Sequence, residues 1–120
     1  MQAIADVSNE EMACRYIAST YGLKYERLPR THGGYLIDSA ASTFDEIMMC
    51  DYTSAAIYLA SFLHELGHIL MIREKAPFTT KYQNEKSAWL RGFQEMEGHF
   101  VITLEMVAFM HKCLSTYVNK

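Results

Sequence analysis

Two histidines and a glutamate lie together in the middle of the chain, in the pentapeptide His64-Glu65-Leu66-Gly67-His68. Residues four apart on an α-helix share one face about one turn from each other, so His64 and His68 can bind a single cation. Glu65 is rotated by about 100° from His64 on such a helix. Its carboxylate can therefore reach a water molecule bound to the cation without being a ligand itself.

This spacing is the HExxH pattern that is typical of zinc-dependent hydrolases. A catalytic zinc ion needs three protein ligands and one open position, so a third ligand must come from elsewhere in the chain. Glu85 is the best candidate, because it follows a loop and lies in the first turn of a predicted helix. That helix can pack beside the histidines through Ala88 and Gly92, which are small. The alternative for Glu85 is a solvated glutamate favoured by the helix dipole.

The pattern around the pentapeptide predicts one buried helix over residues 55–72, which is apolar nearly all round up to His64. One stripe of this helix is expected to face the core, and it consists of Leu59, Leu63, Leu66 and Leu70. An earlier helix is predicted over residues 9–21. Ser8 and Glu11 form a capping box at its start, and Gly22 lies where it should end.

Between these helices the pattern predicts strands over residues 23–28, 35–38 and 44–50, with a polar link over 39–43. Helix is the alternative for the third strand. After a loop over 73–82, Asn84 can cap a C-terminal helical segment, which is either one kinked helix or two shorter ones because of its glycines. We therefore predict an α+β fold with a small, mostly antiparallel three-stranded sheet.

The composition is that of one domain spanning residues 1–120. The net charge of −3 is small, and its basic residues are scattered, so no nucleic acid partner is expected. The three cysteines lack CxxC spacing, which favours thiols in a reducing compartment. We expect no secretory signal and no membrane span, and hence a cytoplasmic protein. The sequence alone sets no oligomeric state.

The pentapeptide at 64–68, followed by Asn84-Glu85-Lys86-Ser87-Ala88, resembles the gluzincin metallopeptidases. Within that group the short spacing is most similar to the ImmA/IrrE-like branch and the minigluzincins. The resemblance covers about ten residues as a motif. It extends over most of the chain as an order of elements: N-terminal helix, small sheet, active-site helix and C-terminal helical segment. It implies a minimal zincin-like domain.

The resemblance also implies a Zn²⁺ ion held by His64, His68 and Glu85. The family often has Asn or Asp four residues after the ligand glutamate, where it orients a histidine, but this chain has Trp89. A different neighbour must then orient the histidines. The strand ending near Cys50 resembles the family's edge strand, which pairs with the substrate backbone.

The implied function is hydrolysis of a peptide bond in a peptide or protein substrate, with regulatory proteolysis of a protein partner as one use of it. Glu65 is the expected general base. Tyr82, His99 and His111 are the candidates for stabilising the oxyanion. The alternative is a non-catalytic zincin-fold module that binds a protein partner and has a structural or vestigial zinc site.

Overall fold

The computed structural model describes residues 7–28, 40–43, 45–50, 55–77, 80–96 and 102–117. These residues form, in chain order, α1 (Val7–Thr20), β1 (Lys24–Leu28), β2 (Ala40–Ser42), β3 (Glu46–Cys50), α2 (Ala55–Arg73), α3 (Lys81–Met96), α4 (Leu104–Leu114) and a 3-10 turn at Ser115–Tyr117.

Helix α2 lies at the centre of the fold and contacts α1, α3, α4, β2 and β3. The predicted central helix is confirmed, and so is its core-facing stripe, since Leu59, Leu63, Leu66 and Leu70 are all buried. Helix α1 is also confirmed. It ends where Gly22 adopts a left-handed conformation (φ 66°), which allows the amide of Leu23 to donate to the carbonyl of Ala18 at 2.8 Å.

Helices α2 and α3 meet backbone to backbone, and glycine makes this approach possible. A Cβ atom placed on Gly67 would lie 1.8 Å from the carbonyl oxygen of Ala88, and one on Gly92 would lie 1.9 Å from the carbonyl oxygen of Leu63. Each helix therefore contributes one glycine to the same contact. Apart from glycine, no residue fits at either position unless the helices move apart.

The sheet has the strand order β1-β3-β2. Strands β1 and β3 are parallel over five residue pairs, from Lys24 opposite Glu46 to Leu28 opposite Cys50. Strand β2 adds only three antiparallel pairs on the other side of β3. The buried side chains of Ile47 and Met49 point from β3 into the helical core.

The predicted α+β fold with a mostly antiparallel three-stranded sheet is therefore wrong. The described chain is mostly helical, and its longest strand pairing is parallel. The pattern of apolar residues shows which side of a strand is buried, but it does not determine strand direction or strand order. The amide of Thr43, just after β2, donates to the carbonyl of Glu46 in β3 at 2.8 Å, and β3 pairs with β1 on its other side.

One of the predicted segments in the sheet region is untested and another differs from the prediction. The expected strand at residues 35–38 lies outside the described residues. Residues 40–42, expected in a polar link, form β2 instead. The third predicted strand is confirmed over Glu46–Cys50, and its helical alternative is thereby excluded.

The C-terminal segment contains two helices. Helix α3 continues through Gly92 and begins earlier than expected, because the Thr80 hydroxyl accepts a hydrogen bond from the amide of Gln83 at 3.1 Å. Helix α4 has its own N-cap, Thr103, whose side chain accepts from the amide of Met106. The division therefore lies between Met96 and Leu104.

Helix α2, with 19 residues and a mean hydropathy of 1.5, is long and apolar enough to cross a membrane. By length and composition alone this is weak support for a span, since the core helix of a globular protein has the same properties. Here 56% of the helix is buried against other parts of the chain.

The glycine contact gives a first prediction. At an exposed position inside a helix, replacing Gly by Ala stabilises the folded protein by about 1 kcal/mol. We expect Gly92→Ala to lower the free energy of unfolding by about 3 kcal/mol, since the methyl group meets backbone atoms that cannot rotate away. Urea denaturation measures this change. Ser87→Ala, at an exposed position of α3, is the control and should change stability little. A Gly92→Ala protein as stable as wild type would contradict the observed helix contact.

Candidate metal centre

Three of the four predicted site residues converge where α3 begins beside the middle of α2. His64 and His68 lie one turn apart on α2, and Glu85 lies in the second turn of α3. One ligand atom from each of these residues lies within 4.8 Å of the other two. The group formed by His64, His68 and Glu85 could therefore hold a metal ion.

The distances within this group match the chemistry of a divalent cation. The Nε2 atom of His64 lies 2.8 Å from Oε1 of Glu85 and 3.1 Å from Nε2 of His68. The Nε2 atom of His68 lies 3.3 Å from the same carboxylate oxygen. Zinc–ligand bonds of about 2.0–2.1 Å in tetrahedral geometry imply ligand atoms about 3.3 Å apart. Two imidazoles and one carboxylate are also a usual ligand set for this ion.

Glu85 is a buried carboxylate, 4% exposed, and it is charged. Burial alone would raise its pKa, but hydrogen bonds from His64 and His68 and their positive charge outweigh burial and hold the pKa well below its ordinary value. A buried charge is costly unless an opposite charge neutralises it. The histidines supply that charge when protonated, and a metal cation would supply it when they are not.

Glu65 lies beside this group rather than in it. Its Oε2 atom is 3.7 Å from Nδ1 of His64, on the opposite side of that ring from Glu85. Its Oε1 atom accepts a hydrogen bond from the Ser42 hydroxyl at 2.6 Å. Ser42 is in β2, so the sheet orients the carboxylate of the central helix. Sequence analysis missed Ser42, because it was assigned to a polar link and no motif marked it.

Two further residues border the centre. The Lys81 ammonium lies 3.4 Å from Oε2 of Glu85 and 5.5 Å from the ring centre of Tyr117. Burial raises the pKa of the Tyr117 phenol, and the negative charge of Glu85 and, more weakly, of Glu65 raises it further. Tyr117 therefore places a protonated hydroxyl within the electrostatic field of both carboxylates. Neither residue was marked by a motif in the sequence.

The sequence-based candidates for oxyanion stabilisation are not gathered at the centre in the same way. Tyr82 lies at the start of α3 and packs against the core, and His111 is exposed on α4. His99 lies outside the described residues. The expected edge strand ending at Cys50 is β3, which is the central strand, so that prediction is wrong. The strand that reaches Glu65 is β2.

Trp89 lies in the core and is 1% exposed. Its indole also stacks on the ring of His64, with ring centres 4.3 Å apart and an angle of 3° between the planes. Trp89 occupies the position where the gluzincins often have Asn or Asp, and it contacts His64 directly.

The geometry predicts that His64, His68 and Glu85 bind one zinc ion together. His68→Ala and Glu85→Ala should each weaken zinc binding by more than about 100-fold, because each removes one of three converging ligand atoms. Equilibrium dialysis with elemental analysis measures how much zinc each variant binds at a given free zinc concentration, and hence its affinity for zinc. Glu74→Ala, which removes an exposed glutamate paired with Arg91, is the control. Zinc retained by Glu85→Ala at wild-type affinity would exclude Glu85 as a ligand.

Lys81 gives a second prediction for the same centre. Its ammonium competes with a metal cation for the Glu85 carboxylate, so Lys81→Met should tighten zinc binding about two- to fivefold at low salt. The gain should shrink in high salt, since the Lys81 side chain is 60% exposed. Lys86→Met, which removes an exposed charge elsewhere on α3, is the matched control. Equal affinities for both variants would show that Lys81 does not oppose the metal.

Comparison with known proteins adds no relative to this picture: no family model, no curated protein and no solved structure matches the chain. The resemblance to gluzincins therefore rests on the two short motifs alone, and the metal-binding group of His64, His68 and Glu85 rests on the structure.

Proposed function

We propose that this protein is a zinc-dependent metallopeptidase that hydrolyses a peptide bond in a peptide or protein substrate. The observation that carries the proposal is the convergence of three ligand atoms, from His64, His68 and Glu85, with the Glu65 carboxylate beside them. A structural zinc site is usually closed by four protein ligands. Three protein ligands and an adjacent carboxylate are the arrangement of a catalytic site.

Zinc is the metal proposed because two imidazole nitrogens and one carboxylate oxygen suit its coordination preferences. When bound, zinc lowers the pKa of a coordinated water and polarises a carbonyl group. The histidine side chains are 17% and 23% exposed, so solvent and a substrate can reach this side of α2.

Glu65 is assigned the role of general base. Its Oε2 atom faces His64 at 3.7 Å, while Oε1 is held by Ser42 at 2.6 Å, so the carboxylate has a defined position beside the ligands. In this role Glu65 takes a proton from the attacking water and later gives it to the amine that leaves. The hydrogen bond from Ser42 restricts the rotation of the carboxylate and leaves its second oxygen facing Nδ1 of His64.

One observation favours a second function, that of a non-catalytic metal-binding module that recognises a protein partner. The Ser42 hydroxyl donates to Oε1 of Glu65 at 2.6 Å, so one oxygen of this carboxylate is already occupied in a contact between β2 and α2. In such a module the metal would stabilise the α2–α3 contact, and Glu65 would be part of the polar packing between α2 and β2.

The two functions differ in what Glu65→Gln does. The substitution keeps the shape of the side chain and removes its basicity. For a peptidase we expect zinc affinity to stay near the wild-type value, while the cleavage rate falls by about 10²- to 10⁴-fold. The assay is zinc affinity together with cleavage of a library of quenched fluorescent peptides.

Glu26→Gln, at an exposed position of β1, is the matched control and should leave both quantities unchanged. Chelation should abolish cleavage, and added zinc should restore it. Cleavage at equal rates by wild type and Glu65→Gln, or cleavage that survives chelation, would rule out the proposed mechanism. A protein that binds zinc but cleaves no peptide would support the binding module.

A further inference from the structure

The ring of His64 contacts Glu85 and His68 through Nε2, while its Nδ1 side lies near Glu65. A histidine that binds a metal through Nε2 usually donates its Nδ1 hydrogen to a carboxylate or carbonyl, which fixes the ring plane. Here the carboxylate facing Nδ1 is Glu65, at 3.7 Å, which is too long for a hydrogen bond. The other oxygen of that carboxylate, Oε1, accepts the hydrogen bond from Ser42.

A flat surface lies against the ring of His64 instead. The indole of Trp89 is parallel to the imidazole to within 3°, with ring centres 4.3 Å apart. Rotation of the imidazole out of this plane would break the stack and drive the ring into the indole. The contact therefore restricts the same rotation that a hydrogen bond at Nδ1 would restrict.

The indole is itself held in place by the core. Phe93 and Phe109 pack edge-on against it, with ring centres 5.8 Å and 5.9 Å away and interplanar angles of 68° and 76°. Its Nε1–H group is buried and finds no acceptor among the described residues. Aromatic packing rather than hydrogen bonding thus sets the position of Trp89.

Helix α3 carries both Trp89 and Glu85, the third residue of the metal-binding group. Trp89 lies four residues after Glu85, so both side chains project from one face of α3 towards α2. The backbone contacts at Gly67 and Gly92 set the distance between the two helices on either side of this face. One rigid helix therefore presents a ligand and the surface that orients another ligand.

We propose that Trp89 is the positioning residue for His64: its indole plane, in place of a hydrogen-bond acceptor, holds the imidazole with Nε2 directed at the metal. This inference rests on the metal centre of the proposed function. It assigns a role to the position where this chain departs from the family that its motifs resemble.

The test compares three variants by zinc affinity, measured in competition with a chromophoric chelator, and by thermal stability without metal. Trp89→Leu should weaken zinc binding about 10- to 100-fold, since it fills space without providing a plane. Trp89→Phe should recover most of this loss. The control is Phe62→Leu, also aromatic to aliphatic in the core, whose ring packs on Tyr25. It should lower stability while zinc affinity stays within about threefold of wild type.

Two outcomes would overturn the inference. One is zinc affinity that falls equally for Trp89→Leu and Phe62→Leu, which would show that affinity follows stability. The other is equal affinity for Trp89→Leu and Trp89→Phe, which would show that the ring plane is irrelevant. A wild-type protein that binds no zinc would instead contradict the proposed function. Failure of the proposed function can therefore be told apart from failure of the role proposed for Trp89.

A measurement on the wild-type protein covers the case in which Trp89→Leu fails to fold. Trp89 is the only tryptophan in the chain, and its indole lies parallel to the His64 ring with ring centres 4.3 Å apart, close enough to shift the proton resonances of that ring. The carbon-bound ring protons of His64 should be shifted upfield in NMR spectra of the metal-free protein and should remain so with zinc bound. Loss of the upfield shift on zinc binding would mean that the imidazole leaves the indole, and the inference would be wrong.

Discussion

The close contact between α2 and α3 is the constraint on which the rest of the site depends. Gly67 faces the backbone of Ala88, and Gly92 faces the backbone of Leu63, so the two helix axes lie nearer to each other than side chains would allow. At this distance a carboxylate from α3 reaches the imidazoles of α2 directly. A wider separation would leave His64 and His68 as a two-ligand pair and Glu85 as an isolated buried charge, which is unfavourable.

Electrostatics explains why a carboxylate can be buried in this group. Glu85 loses hydration on burial, and contacts with two imidazoles and with the Lys81 ammonium offset that loss. The same arrangement could hold a cation, because a carboxylate and two nitrogen donors converge on one point. Burial of this charge and the capacity to hold a metal ion are therefore two consequences of one geometry.

The sequence predicted the helices well and the sheet poorly, for a physical reason. A long apolar run such as residues 55–72 predicts a buried helix, and Gly22 marks the end of α1 locally. The predicted cap Ser8 instead lies inside α1, which begins at Val7. Strand pairing depends on partners distant in the sequence, so no local pattern encodes the parallel pairing of β1 with β3 or the existence of β2 at Ala40–Ser42.

The sequence by itself determined which side chains can take part in the chemistry: HExxH spacing on a helix places two imidazoles on one face, and Glu85 was identifiable as a candidate third ligand. Only the tertiary structure decided what surrounds them. The contacts of Ser42 with Glu65 and of Trp89 with His64 join residues from different elements, so they depend on how those elements pack. Lys81 and Glu85 lie four residues apart on α3, so their pairing is local, and only the burial of Glu85 depends on the tertiary structure. Periodicity within one helix determines relative angles along that helix. The distance to a neighbouring element is determined by the packing of both, and here by two glycines that allow the backbones to touch.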